Sequence, residues 1–568
     1  MTQNRKVLIG IMGILALSLM FLGNIPIDAS HTPESGVVNQ LQPASPHAPI
    51  SITGNGEFQT ADGVTGGSGT EADPYIIENW TIDASGNIGI RLMMTSDHVI
   101  IRNNTVENGG GLYNGIVVQF ASNVIIENNT VTNNFQGIRL TSSFNVTVSN
   151  NTAISNTRDG IFLDSGHSNT IVANNASLND RHGIAVESAS NNNIISDNSA
   201  DSNIGNGIFL DDSENNWVSN NSVSDNSHGI RLNPVSANNT IAGNNINSNM
   251  YGLFFSESTE NLAVNNTVSS NDWGIYLASS HGNEFDSNSI DSDTHGIHLL
   301  DSNDNIIRNT NATNSDRAIH LENSVGNTIT KNNVLLNDWG ISLLESDNNT
   351  LSNNTALFNS RGIRLYESSN TMIANNTVSS NDWGIFLASS STNNTITNTT
   401  ASNNDIGVGV YGSSDANVIW NNIFTDNTAE NAVSDNSIDN RWDYNLTGNY
   451  WSDYTDIYPS ATNDGRVWDI PYDVSGSSDD QDLYPLAEPT FNTPPPAPLS
   501  APDPDPDPDP DPDPDPDPDP LPTADPTPGP DPVPSPTISG FPIIPFFVGL
   551  SVVVIFLVKK QQISRQTT

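Results

Sequence analysis

The segment Asn265-Asn266-Thr267-Val268-Ser269-Ser270-Asn271-Asp272-Trp273-Gly274-Ile275-Tyr276-Leu277-Ala278-Ser279-Ser280 returns 110 residues later as Asn375 to Ser390, altered at one place, Phe386 for Tyr276. A shorter unit inside it, Gly-Ile-x-Leu, recurs through the whole middle of the chain. Its glycine falls at 89, 115, 137, 160, 183, 207, 229, 252, 274, 296, 318, 340, 362, 384 and 407, with Ala318 the one replacement. The step is 22 to 24 residues after a first interval of 26, and 110 is five steps of 22. A second series, Asn-Thr-Ile at Asn169, Asn239, Asn327 and Asn394, follows its glycine by nine or ten residues.

Self-similarity at such a period means stacked structural repeats. Each unit carries short apolar doublets of period two, separated by Asn, Ser and Gly, and no window carries a helical stripe. One unit buries four or five apolar side chains and cannot stand alone. Stacked units bury Ile on Ile and Leu on Leu, so a continuous core coexists with a polar average composition. Asn suits the turns because its side chain bonds nearby backbone and it tolerates left-handed geometry. The expectation is an all-β, single-stranded, right-handed parallel β-helix of about 15 coils, a rod of ~70 Å at ~4.8 Å per coil.

Composition alone would mislead. Of 568 residues, 35% are hydrophobic, and 18 Lys+Arg against 64 Asp+Glu leave a net charge of −46. Low hydrophobicity with high net charge normally marks disorder; the repeat overrides that in the middle of the chain. So acidic a chain is a poor partner for nucleic acid. The absence of cysteine excludes disulfides, thiol nucleophiles and thiolate metal sites.

The ends read differently. Arg5 and Lys6, the apolar run Val7 to Leu22 and Ala29-Ser30 have the order of a secretory signal over 1–29. A leader (30–50), an N-terminal cap (51–87), the repeats (88–440) and a closing segment (441–490) follow. A stalk (491–537) holds the Asp-Pro tract from Pro502 to Pro520, expected to be extended polyproline II. Ile538 to Val558 is long and apolar enough for one membrane helix, and Lys559, Lys560 and Arg565 mark 559–568 as a cytoplasmic tail. The expected arrangement is a single-pass membrane protein with its ectodomain at the cell surface. Sequons at Asn79, Asn103, Asn128 and Asn238 permit glycosylation.

Two flanking segments carry a family resemblance. Gly66-Gly67-Ser68-Gly69-Thr70-Glu71-Ala72-Asp73-Pro74-Tyr75-Ile76-Ile77-Glu78-Asn79-Trp80 resembles the opening of archaeal surface proteins of the NosD-like, PbH1-repeat type. Asn440-Arg441-Trp442-Asp443 and Gly448-Asn449-Tyr450-Trp451-Ser452-Asp453-Tyr454 resemble their closing segment, as do Ile470-Pro471-Tyr472 and Asp482-Leu483-Tyr484-Pro485-Leu486. The resemblance covers roughly 52–486. It implies a right-handed β-helix outside the cytoplasm, sometimes copper-binding and related to carbohydrate-binding and sugar-hydrolase β-helices.

Chemistry-bearing residues concentrate beside the repeated glycine. Of thirteen Lys and Arg outside the terminal tails, eight fall in this band: Arg91, Arg139, Arg158, Arg181, Arg231, Arg317, Arg361 and Arg364. Three positions in twenty-two would hold about two by chance. Aromatic faces stack on sugars and guanidinium pairs with carboxylate or sulfate. Trp273, Tyr276, Arg317, Trp339, Arg361, Arg364, Trp383 and Phe386 are therefore candidate glycan contacts, the tryptophans ~14 Å and ~10 Å apart along the rod. The bland alternative pairs each Arg with a neighbouring carboxylate such as Asp164, Glu187, Glu322 or Glu367. His298 and His320 take equivalent places one coil apart, and with His295 they form a candidate copper site. Tyr276, His298, Arg317 and His320 are also the weak candidates for a lyase or epimerase site. Asp464, Asp469, Asp473 and Asp482 in the closing segment are candidate calcium ligands, calcium being the cofactor expected if there is one. The leading expectation is an envelope or extracellular glycan-binding protein without turnover; the alternatives are a polysaccharide lyase or epimerase, or copper handling. The oligomeric state is open.

Overall fold

The computed structural model describes residues 45–489. The expected signal, most of the leader, the stalk, the membrane helix and the tail lie outside the described residues. Among the described residues no helix is long and apolar enough to cross a membrane.

The described chain is an all-β, right-handed parallel solenoid of about 16 turns. Three parallel ladders run its length. The first, carrying the Gly-Ile-x-Leu strands, starts at Ile50–Thr53 and ends at Glu430–Asp435, where Ser475 of the closing segment bridges Val433. The second is a 16-stranded ladder from Tyr75–Glu78 to Val418–Trp420. The third is a 5-stranded and an 11-stranded piece joined by single bridges through Asn175 and Ser199. The rod begins before the first repeated glycine, because Ser45–His47 already pairs with Trp80, Thr81 and Ile82. That first coil reads Ile50-Ser51-Ile52-Thr53 and so escapes the glycine pattern.

Register follows the repeat without slippage. Ile275 pairs with Ile297 and Leu277 with Leu299, and the next coils continue through Ile319, Leu321, Ile341 and Leu343. All of these are fully buried and belong to one core that runs from Ile50 to the closing segment. At roughly 25 cal/mol per Å² of apolar surface, each such residue contributes ~1.5–3 kcal/mol, but only while a neighbouring coil covers it.

The repeated Asn-Asn doublet has two separate tasks. The first Asn takes the left-handed turn, as Asn353 (φ 56°) and Asn375 (φ 58°) do. The second is buried and bonds along the rod. Asn354 Nδ2 donates to Ile329 O (2.9 Å) and to Asn376 Oδ1 (3.1 Å), while Asn354 Oδ1 accepts from the Asn332 backbone N–H (3.0 Å). Similar ladders run through Asn226, Asn249 and Asn271 and through Asn261, Asn283 and Asn305. They satisfy the backbone groups that turning inward would otherwise leave unpaired. The glycine exists for clearance: a Cβ on Gly362 would lie 2.5 Å from Val378 Cγ1 and 2.7 Å from Gly384 O.

The closing segment seals the C-terminal end. Tyr450–Trp451 adds to the third ladder against Ile423 and Phe424. Trp451 is sandwiched between Phe424 (4.8 Å between centroids) and Tyr472 (4.1 Å). Trp442, Trp451 and Tyr454 are buried, whereas Tyr450 is half-buried.

Candidate functional site: the Gly-Ile-x-Leu face

The outer side of the first ladder carries three columns, the residue before the glycine, the one after the Ile and the one after the Leu. It is flanked by the residue two before the glycine, where Arg158 and Arg181 stand. An outward strand position is ordinarily exposed, yet the centre column is largely covered. Phe162, Ala185 and Phe209 form a small hydrophobic cluster outside the main core, and His298 (4% exposed), His320 (1%) and Ser342 (0%) are buried further along. Long side chains in the flanking columns close over it.

Along this face seven of the eight arginines divide into two sets; the buried Arg91 Nε has no hydrogen-bond partner among the described residues, and Arg91 joins neither. Arg139 pairs with Asp164 (2.9 Å), Arg181 with Glu187 (2.6 Å), and Arg158 and Arg181 both approach Asp159 (3.4 and 3.5 Å). These follow the bland alternative. Arg231, Arg317, Arg361 and Arg364 have no carboxylate partner among the described residues and lie over rings. Arg231 sits between Phe209 and Phe254 (5.9 and 5.1 Å to centroid). Around Trp339 gather Arg317 (4.5 Å), Arg364 (4.6 Å) and Arg361 (5.9 Å), and Arg361 also covers Phe386 (5.3 Å). Arg364 is held down to about 10 by burial first and then by Arg361 and Arg317. Three guanidiniums thus share one ring with no described carboxylate between them.

The other aromatic candidates are arranged within the ladder. Phe254 stacks on Tyr276 (5.4 Å, 6°), and Tyr251 runs parallel to Trp273 (6.2 Å, 16°). Trp273 also contacts His295 (4.0 Å). Trp383 leans against Phe386 (5.2 Å) and Tyr411 (5.6 Å). Trp273, Trp339 and Trp383 are all half-buried. Ring faces are thus partly used along the rod, leaving edges and guanidiniums to the outside.

The four residues weighed for catalysis do meet: Tyr276 lies 5.2 Å from His298 and His298 4.9 Å from His320, ring to ring, and Arg317 is close enough to influence both imidazoles. Burial, then His295 and Arg317, lowers His298 to about 4. Burial, then His298 and Arg317, lowers His320 to about 3. Burial raises Tyr276 above the usual phenol value. Imidazoles so depressed are weak bases at neutral pH.

In the closing segment the four aspartates do not gather into one ligand set. Asp464 accepts from the Arg466 and Val467 backbone (2.8 and 2.9 Å), Asp469 from Thr462, and Asp473 from Tyr458 and Gln481. Asp482 is buried and accepts from the Asn449 N–H (2.7 Å), Trp451 Nε1 (2.9 Å) and the Tyr484 N–H (3.0 Å). Acids close in sequence are here spent on separate local bonds.

The family described as periplasmic copper-binding protein (NosD) matches residues 48–231, 153–273 and 267–456. The chain belongs to the NosD family. No curated protein matches it by sequence. Among solved structures the Dettilon tailspike protein is 14% identical over 57% of this chain and 59% of the tailspike (TM-score 0.31). The periplasmic alginate epimerase AlgG is 13% identical over 65% of this chain and 84% of its own (TM-score 0.25). The catalytic domain of a GH87 alpha-1,3-glucanase is 13% identical over 55% and 60% (TM-score 0.26). These likenesses concern the β-helix alone, and the chain spans about three-fifths of the tailspike it matches.

The NosD description raises copper, and the donors present fit it. His298 Nε2 lies 3.6 Å and His320 Nε2 4.0 Å from Glu322 Oε2, and one donor atom from each residue falls within 4.8 Å of the others. His295 is not in this group: its ring rests on Trp273, 6.5 Å from His298. Glu322 takes the third place, and its sequence signal was a carboxylate two residues beyond His320 on one strand.

Proposed function

We propose that this NosD-family chain displays its β-helix at the cell surface and binds an anionic polysaccharide along the Gly-Ile-x-Leu face without turning it over. The observation that carries the reading is the set Arg317, Arg361 and Arg364 around Trp339, unpaired by any described carboxylate in a protein of net charge −46. An anionic chain supplies the missing counter-charge, and Arg231, further along the same face, offers a second contact. Against turnover stand the low basicity of His298 and His320 and their burial. Incubation with paired neutral and uronate- or sulfate-bearing polysaccharides tests this: the reading expects retention of the acidic chains, weakened by salt, with no product. Unsaturated ends or altered uronate stereochemistry would make it an enzyme instead. Tethering through 538–558 is part of the proposal; protease added to intact cells releases the ectodomain if it holds, and leaves the whole chain protected if it does not.

A further inference from the structure

We propose that His298, His320 and Glu322 form a site for one divalent transition-metal ion of the copper–zinc type in the floor of the Gly-Ile-x-Leu face. The register builds it. His298 pairs with His320 across adjacent coils, and Glu322, two residues on, projects to the same side of the strand. Two imidazoles and a carboxylate are a donor set that suits copper(II) and zinc.

The second observation is that the buried donors lack partners. Neither ring nitrogen of His298 has a hydrogen bond, nor has His320 Nε2. A buried unpartnered imidazole nitrogen is costly to maintain. His320 Nδ1 lies 3.2 Å from Ser342 O. A carbonyl only accepts, so Nδ1 carries the proton and the Nε2 lone pair is left free toward Glu322. That is how a backbone carbonyl fixes the tautomer of a metal-binding histidine. Bonds of ~2.0–2.2 Å place tetrahedral donors ~3.3–3.5 Å apart, so the set needs to close by about 1 Å or a little more. Ser342, next in the column, is fully buried and its hydroxyl accepts from Arg364 Nη1 (3.3 Å), so the three donors are Glu322 and the two imidazoles alone. Arg317 opposes a cation here, but its guanidinium is drawn onto Trp339 in the next coil, and Glu322 supplies the balancing charge.

The test loads the purified full-length protein with copper(II), removes loose metal on a chelating resin, and counts what remains, with electron paramagnetic resonance of the bound ion. One retained equivalent with hyperfine coupling from two nitrogens is expected, displaced competitively by zinc. His298→Ala and the volume-conserving His320→Phe should each weaken retention at least ~100-fold, and Glu322→Gln ~10-fold, while the thermal melts of the metal-free proteins stay near wild type. His281→Ala, elsewhere on the rod, should change nothing. Copper retained equally by a folded His320→Phe protein, no retention by wild type, or a spectrum without nitrogen coupling would overturn the site and reduce any binding to the acidic surface.

Discussion

The Arg317 guanidinium lies 4.5 Å above the centroid of Trp339, and among the described residues it has no carboxylate within ion-pair reach. The ring is what holds this cation. Trp339→Ala should therefore leave three guanidiniums facing each other without their common support, costing ~1–2 kcal/mol of stability, whereas Trp339→Phe should cost less than half of that. Chemical denaturation measures both. The Ala variant should also be rescued in part by added sulfate, which replaces the lost counter-interaction; indifference to sulfate would mean the cluster binds no anion.

Asn354 and its neighbour Asn353 should behave oppositely. Asn354→Ala removes the acceptor for the Asn332 N–H and the donor to Ile329 O, stranding buried groups at a cost of ~3 kcal/mol or more. Asn353 is exposed with φ 56°, so Asn353→Gly should stay within ~0.5 kcal/mol. Equal losses on denaturation would contradict the division of labour within the doublet.

Asp293 occupies a place in a ladder of buried asparagines. Its Oδ1 accepts from the Asn271 N–H (2.5 Å) and Nδ2 (3.0 Å), but Oδ2 has no partner, where Asn would donate. Burial raises its carboxyl to about 7, with nearby Asp291 adding to the rise. A folded-state value above the unfolded one means the stability is complete below about pH 4 and declines as pH rises to about 7. The loss is on the order of 4 kcal/mol at most. Asp293→Asn should thus raise the melting temperature at pH 8 and change it little at pH 4; a uniform effect at both would show that Asp293 is not titrating.

Asp482 ties the cap together through three donors from Asn449, Trp451 and Tyr484. Asp482→Ala should release the segment after Trp442, seen as red-shifted tryptophan emission and faster proteolysis there, at ~3 kcal/mol or more. Unchanged emission and proteolysis would mean that stacking of Trp451 on Phe424 and Tyr472 suffices.

The repeat made the fold legible because register in a parallel solenoid is the sequence period itself: Ile275 over Ile297 follows from a step of 22. The first coil at Ile50 was not, since it lacks the glycine. The band of candidate residues was also visible, but not its two halves. Whether Arg139 meets Asp164 or Arg317 meets Trp339 depends on which way a long side chain runs between coils, and spacing does not encode that. Burial of His298 and His320 was hidden for a related reason, because neighbouring columns, not their own strand, cover them. The aspartates of the closing segment look like a calcium loop in sequence, but Asp464 and Asp469 are taken up in turn bonds with Val467 and Thr462.

Under the proposed function, unpaired arginines, not arginines as such, bind an acidic glycan. The affinity of one uronate polysaccharide for two triple variants tests it directly, one with Arg317, Arg361 and Arg364 changed to Gln, the other with Arg139, Arg158 and Arg181 changed to Gln. Each removes the same charge from the same face. Affinity should fall ~100-fold or more in the first and change by less than ~3-fold in the second, on the scale of ~1 kcal/mol per charge-assisted contact. Equal losses in the two, or full binding by the first, would contradict it.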